Sequence, residues 1–165
     1  MAERHIPIVA VVGASDCSGR PHQTELAEVV GRALAEAGAI LICGGRGGVM
    51  AAACRGAKSA GGLTIGVLPG NNAAEANLWV DIPIVTGIGE ARNIIIVRTA
   101  HAVIAVGGEF GTLSEIAFAL KLGRPVVGLG TWEMSKEGCL VQNILVASTP
   151  EEAVRLALTE SRPDA

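Results

Sequence analysis

Short apolar runs alternate with amphipathic stretches along this chain, and that alternation limits the fold more than any other feature. The runs are IPIVAVV (6–12), AILIC (39–43), LTIGVLP (63–69), AVIAVGG (102–108), PVVGLG (125–130) and NILVAS (143–148), with DIPIVTG (81–87) as a short extended segment. Helix-like patterns fall between them at 21–38, 48–62, 89–100, 111–123 and 149–158. In the first, Leu26, Val29, Val30, Ala33 and Leu34 recur at spacings of three and four, and Gly38 is a natural stop. In the last, Thr149, Pro150 and Glu152 supply an N-cap, a proline at the first helical position and a capping-box acid. The tail ESRPDA is expected to fray. Strand and helix in alternation predict a parallel sheet, and right-handed crossovers make it an open, doubly wound α/β fold with helices on both faces. AVIAVGG is expected beside the first strand, where the winding changes direction and such sheets bind ligands.

Composition agrees. The chain is 50% hydrophobic but only 2% aromatic, so its core is built from Val, Ile, Leu and Ala, as suits strands buried on both faces. Its 165 residues fit one Rossmann-like domain, with a core over about 6–158. The net charge of −3, with no basic stripe or aromatic platform, argues against nucleic acid. No apolar run reaches the roughly 18–20 residues that would cross a membrane. The N-terminus lacks a signal-peptide layout, so a cytoplasmic location is expected. Cys17, Cys43, Cys54 and Cys139 are scattered without a CxxC, and His5, His22 and His101 are isolated. No metal site is expected; the cysteines read as small buried residues and the histidines as structural or surface ones.

The 22 glycines fall where they inform. Three strands end in glycine turns: GASDCSG (13–19), GGRGGVM (44–50) and GGEFGT (107–112). All should open on the carboxyl edge of the sheet, and two lead straight into a helix. A helix N-terminus presents unpaired N–H groups and about half a positive charge, and glycine lets backbone approach an anion closely. The candidate phosphate-binding residues are Gly13, Ala14 and Ser15; Gly44, Gly45, Arg46, Gly47 and Gly48; and Gly107, Gly108, Glu109, Phe110, Gly111 and Thr112. No Walker A loop occurs, and no G-x-G-x-x-G follows the first strand, which disfavours NAD or FAD. The loop GNNAAEANLW (70–79) is a candidate cover for the pocket.

Two charged residues stand out. Thr112-Leu113-Ser114-Glu115 matches a capping box, so Glu115 is either a helix cap or a group for chemistry. Arg92 falls in the first turn of the 89–100 helix, where a cation opposes the macrodipole; it either pairs with Glu90 in solvent or faces the glycine turns.

GGRGGVM, ARN and GGEFGTLSE together resemble the family once labelled lysine decarboxylase-like, which includes the Lonely-Guy phosphoribohydrolases. On that pattern Arg92 matches the family arginine and Glu115 the terminal glutamate, the pair linked there to catalysis. Val106 stands where that subgroup has proline. Over residues 6–158 the chain is more similar to the molybdenum cofactor carrier proteins, through RGAKSAGGLTIGVLPG, DIPIVTGIGEARN and GTLSEIAFALKLGRPVV. The resemblance implies a homo-oligomer, a dimer or larger.

Two functions fit. In the first, the chain hydrolyses the N-glycosidic bond of a nucleoside 5′-monophosphate, the phosphate lying on the amides of 107–112 with help from 44–48. Glu115 then stabilises the oxocarbenium-like transition state or activates water, and Arg92 positions it or the phosphate. In the second, the same turns hold a phosphorylated pterin such as the molybdenum cofactor as a bound ligand, and Glu115 only caps. Neither needs a resident cofactor, and a nucleotide sensor without turnover is a third reading. The Ile94–Val97 helix face is open to a core or an interface role.

Overall fold

A computed structural model describes residues 6–161. Nine strands and five α-helices run in the order β1 (Ile8–Gly13), α1 (Pro21–Glu36), β2 (Ile40–Cys43), α2 (Gly48–Ser59), β3 (Thr64–Leu68), β4 (Ile82–Val85), α3 (Asn93–Thr99), β5 (Ala102–Val106), α4 (Phe110–Lys121), β6 (Val126–Leu129), β7 (Ser135–Lys136), β8 (Cys139–Leu140), β9 (Ile144–Val146) and α5 (Pro150–Glu160). Short 3₁₀ turns occupy Ala73–Glu75 and Gly89–Arg92. Seven strands form one parallel sheet in the order β4-β3-β2-β1-β5-β6-β9. The fold is therefore the doubly wound α/β sheet that the alternation implies.

Each central strand feeds two cores. In β5, every residue of which is buried, Ala102, Ile104 and Val106 face a core shared with α1, α2 and α5, while Val103 and Ala105 face one shared with α3 and α4. Alternate residues of a strand point to opposite faces, so an all-apolar run is what a doubly covered strand requires. β5 pairs directly with β1, Val9 opposite Ala102 through Gly13 opposite Val106. That pairing is the switch: chain crossing from β1 moves toward β2 on one side, and chain leaving β5 moves toward β6 on the other. His101 serves it structurally, its Nδ1 accepting the Ile8 N–H at 2.9 Å.

Several local expectations shift. The 89–100 helix is a 3₁₀ turn followed by α3, and the segment 81–87 contains an edge strand, β4, whose four residues are exposed. The β7–β8 hairpin fills a stretch between β6 and β9 for which the sequence offers no element. Ile96 and Val97 are core, while Ile94 and Ile95 are half-buried beside it. Cys43 and Cys54 are buried, but Cys17 is half-buried and Cys139 exposed, so only two of the four cysteines are small core residues. His5 and residues 162–165 of the tail lie outside the described residues. Among the described residues no helix is long and apolar enough to cross a membrane.

Candidate functional site

At the carboxyl edge, beside the β1–β5 switch, the chain opens a cleft of about 300 Å³. Gly13, Ala14 and Ser15 line it from the end of β1, Arg46 from the β2–α2 turn, Arg92 from the 3₁₀ turn ahead of α3, and Glu109, Gly111, Thr112 and Glu115 from the start of α4. Nine of the sequence candidates are thus brought together.

The glycine turn after β5 delivers a free helix end. The N-cap of α4 is Glu109, whose side chain caps nothing, and the first backbone bond of the helix is Leu113 N–H to Glu109 O at 3.0 Å. The amides of Phe110, Gly111 and Thr112 precede that bond and have no partner within the helix. A Cβ on Gly111 would meet nothing within 4 Å, so the backbone there is open to a ligand. The helix begins two residues before Thr112, which corrects the capping-box reading. Thr112 is its third residue, and Glu115, one turn on, faces the cleft side rather than the cap. Side chains at i and i+3 share a helix face, which is why both line the cleft.

Glu115 is 7% exposed, and burial pushes its carboxyl up to about 8. The Arg92 guanidinium opposes this shift and the Glu90 carboxylate reinforces it. Desolvation wins because a buried carboxylate loses its water and no ion pair joins Glu115 to Arg92. Near neutral pH the group is therefore mostly the protonated acid.

Arg92 is 6% exposed, so of the two readings left open by the sequence the solvated one fails and the arginine faces the cleft. Its Nη1 donates to Asn93 Oδ1, Glu90 Oε2 stands 3.7 Å off, and its buried Nε has no partner. An unsatisfied buried donor costs about 1–3 kcal/mol. Asn93 is held in turn by Ser114 of α4, 3.2 Å from Nδ2 to Oγ. Gly44 makes room for the guanidinium: a Cβ there would lie 2.8 Å from Arg92 Nη2 and 2.8 Å from Met50 Sδ.

The second glycine turn behaves differently from expectation. Val49 N–H, at the start of α2, donates to Ala14 O at 3.0 Å, and Gly47 and Gly48 pack on the Ser15 carbonyl. Gly44, Gly45, Gly47 and Gly48 therefore do not line the cleft; the β1–α1 turn closes that helix end. The loop 70–79 does not cover the cleft either. It braces this turn, with Asn77 Nδ2 donating to Arg46 O at 2.9 Å and Glu75 3.7 Å from Arg46 Nη1. Gly107, Gly108 and Phe110 also fall outside. The two glycines line a neighbouring cleft, and the Phe110 ring is 77% exposed, 5.5 Å from that of Trp132.

Asp16, Met50, Pro69, Glu90 and Asn93 also line the first cleft and are not among the sequence's site candidates, Glu90 entering there only as a partner for Arg92. Asp16 lies in the first glycine turn and Met50 ends the second, while Glu90 and Asn93 flank Arg92, so position alone marked four of them. The carboxyl of Asp16 is held below its usual range by hydrogen bonds from Ser18. Among the described residues no cluster of His, Cys, Asp and Glu has metal-ligand geometry. The arrangement can hold an anion: free amides, a helix dipole, a buried cation and a neutral acid that can donate a hydrogen bond.

Similarity to known proteins spans almost the whole chain. An uncharacterized protein of Archaeoglobus fulgidus is 43% identical over 153 residues, covering 93% of this chain and 95% of that one. The molybdenum cofactor binding protein of the phototrophic bacterium Rippkaea orientalis superposes with a TM-score of 0.82 at 37% identity, over 95% of this chain and 98% of the other. The molybdenum cofactor carrier protein of Chlamydomonas reinhardtii does so with a TM-score of 0.84 at 39% identity, over 94% and 98%. The kinship carried by the glycine turns and their flanking segments thus extends through the fold, and the match of the family's model to residues 6–154 shows that the chain belongs to the SLOG cluster4 family.

Proposed function

We propose that this chain is a binding and carrier protein for a phosphorylated small molecule, with the molybdenum cofactor as its ligand, rather than a nucleotide hydrolase. The observation that carries the reading is Arg92, a cation 6% exposed whose Nε donates to nothing, set beside an acid that is mostly uncharged near pH 7. A phosphate supplies the missing acceptor and a second negative charge beside Glu90. Its oxygens would rest on the amides of Phe110, Gly111 and Thr112 at the α4 N-terminus and take donors from Arg92. Ser15 and Arg46 would close around it from the other side of the cleft.

The burial of Glu115 favours binding over hydrolysis. A general base or a carboxylate that stabilises an oxocarbenium ion must be ionised. With its carboxyl up at about 8, Glu115 is instead a hydrogen-bond donor at neutral pH, and an anion bound beside it would favour the proton further. The carrier relatives are alike over nearly their full length, which supports the same ligand class.

On this reading the protein works in the cytoplasm and without a resident cofactor, as one homogeneous domain. It also assembles with itself. The edge strand β4 and its continuation leave Ile82, Ile84, Val85 and Ile88 at 40–50% exposure, an apolar surface suited to a second copy.

The test is purification under reducing, anaerobic conditions from cells that make the cofactor, with molybdenum and the oxidised fluorescent pterin measured per chain. Both should co-purify in wild type and be lost from Arg92→Gln. Release of free base from a nucleoside 5′-monophosphate by wild type, abolished in a stable Glu115→Gln protein, would overturn the carrier reading in favour of hydrolysis.

A further inference from the structure

A second, shallower cleft opens over the ends of β5 and β6, lined by Gly107 and Gly108, by Arg20 and Gln23 from the start of α1, and by Thr131, Trp132 and Glu133. It is continuous in chain with the first: residues 107–112 serve both. Arg20 lines one and Glu109 the other, and the two are joined by an ion pair of 2.5 Å.

Its chemistry is not that of an anion site. The only arginine in the lining already has a carboxylate partner, and Glu133 adds an exposed negative charge. What it holds ready is a hydrogen-bonding edge. Gln23 is 7% exposed, its side-chain oxygen receives only a long contact from the Cys17 thiol at 3.9 Å, and its amide nitrogen has no acceptor among the described residues. That amide lies flat against Gly107, where any side chain would collide with it. Among the described residues the only buried side-chain donor left without a partner is Arg92 Nε, so the Gln23 amide nitrogen reaches the cleft surface, and a donor there with no protein acceptor is placed to meet a ligand.

Acceptors complement this donor. Thr131 Oγ1 already donates to Gly107 O at 2.6 Å, so it turns only lone pairs outward, and Glu133 is a free carboxylate. Trp132 is fixed by its indole N–H, which donates to Glu109 O at 3.3 Å, and with Phe110 it forms an aromatic ledge. Flat ring systems stack on such surfaces.

We propose that this cleft is a ring subsite, taking a planar heterocycle with a carbonyl and an amino group on one edge, as in the 2-amino-4-oxo ring of a pterin. The carbonyl accepts from the Gln23 amide, the amino edge donates to the Glu133 carboxylate, and the ring lies on Trp132. The proposal rests on the carrier reading only for the phosphate end of the same ligand, which occupies the first cleft.

The experiment uses two separate probes on the full chain. Unphosphorylated 6-hydroxymethylpterin is titrated in a Trp79→Phe background, so that quenching reports Trp132 alone, and inorganic phosphate is titrated by calorimetry. The ring probe should bind wild type, lose about tenfold in affinity in Gln23→Leu and a smaller factor in Glu133→Gln, and be indifferent to phosphate. Phosphate affinity should stay within about twofold in both variants. Glu133 is exposed, so its variant folds whatever Gln23→Leu does to packing. Phosphate binding without ring binding would overturn the subsite and leave the anion cleft standing. Ring binding that ignores both substitutions, or competes with phosphate, would overturn it too. Ring binding with no phosphate binding would support the subsite and sink the carrier reading instead, and binding of neither probe would sink both.

Discussion

The two glycine turns that lead into helices read alike, GGRGGVM and GGEFGT, yet the fold uses them for opposite ends. The first is closed. Its helix end donates to Ala14, its glycines admit the Ser15 carbonyl and the Arg92 guanidinium, and of its residues before the helix only Arg46 reaches the cleft. The second is open, with three unpartnered amides and a glycine that faces empty space. A turn rich in glycine therefore marks close approach of backbone, but whether the approaching group is the protein or a ligand depends on what else the sheet edge brings there.

Substitutions at matched positions test this contrast most severely. A Cβ on Gly48, at φ +57°, would meet Ala14 O and lie 2.8 Å from Ser15 O. Gly48→Val should therefore cost about 3 kcal/mol or more and lower the melting temperature by well over 10 °C, read by calorimetry. Gly111→Asp should leave the chain folded, since an acid in the first turn of a helix is stabilising by about 0.3–1 kcal/mol, while phosphate affinity falls at least about tenfold. Equal loss of stability in both would erase the distinction between a closed and an open turn.

Arg92 sharpens it. Arg92→Met removes a cation and an orphaned buried donor, so phosphate binding should fall by about ten- to a hundredfold while thermal stability holds or rises. Arg92→Met melting several degrees below wild type would mean that the arginine is a strut for the Gly44 turn and not a ligand group.

The next effect is on pH dependence. Between about pH 4.5 and 8 the folded chain keeps a proton on Glu115 that the unfolded chain releases, so this group makes stability fall as pH rises through that window and then level off. Glu115→Gln should remove that slope and be more stable than wild type at pH 8, measured by chemical denaturation across the range. A parallel slope in the variant would move the titration to another group. Smallest should be Arg46→Ala: the side chain is about half exposed and weakly tied to Glu75, so phosphate affinity should drop only about two- to fivefold and stability by less than about 0.5 kcal/mol.

How far local sequence can be trusted is plainest in two helix starts. Thr149-Pro150-Glu151-Glu152 reads as a capping box and caps the helix as one: Thr149 Oγ1 accepts Glu152 N–H at 3.2 Å, while Glu152 reaches back one residue past the N-cap and accepts Ser148 N–H at 2.8 Å. Thr112-Leu113-Ser114-Glu115 has the same pattern and is not, because the glycines ahead of it let α4 begin at Phe110. At the first, the proline at N1 locks the phase of the helix within the motif itself. At the second, nothing local sets the phase.

What the sequence determined by itself was the alternation of buried strands and helices, the parallel winding, the β1–β5 switch and the edge on which the glycine turns gather. Those follow from period-2 and period-3.6 burial and from chain handedness, which are written residue by residue. Only the tertiary structure decided that Arg92 is buried and short of a partner, that Glu115 turns inward and holds its proton, that one turn is packed shut, and that Gln23 meets Gly107. Each depends on which groups from distant segments exclude water from the same place. Desolvation and hydrogen-bond satisfaction are properties of the assembled neighbourhood, not of a motif.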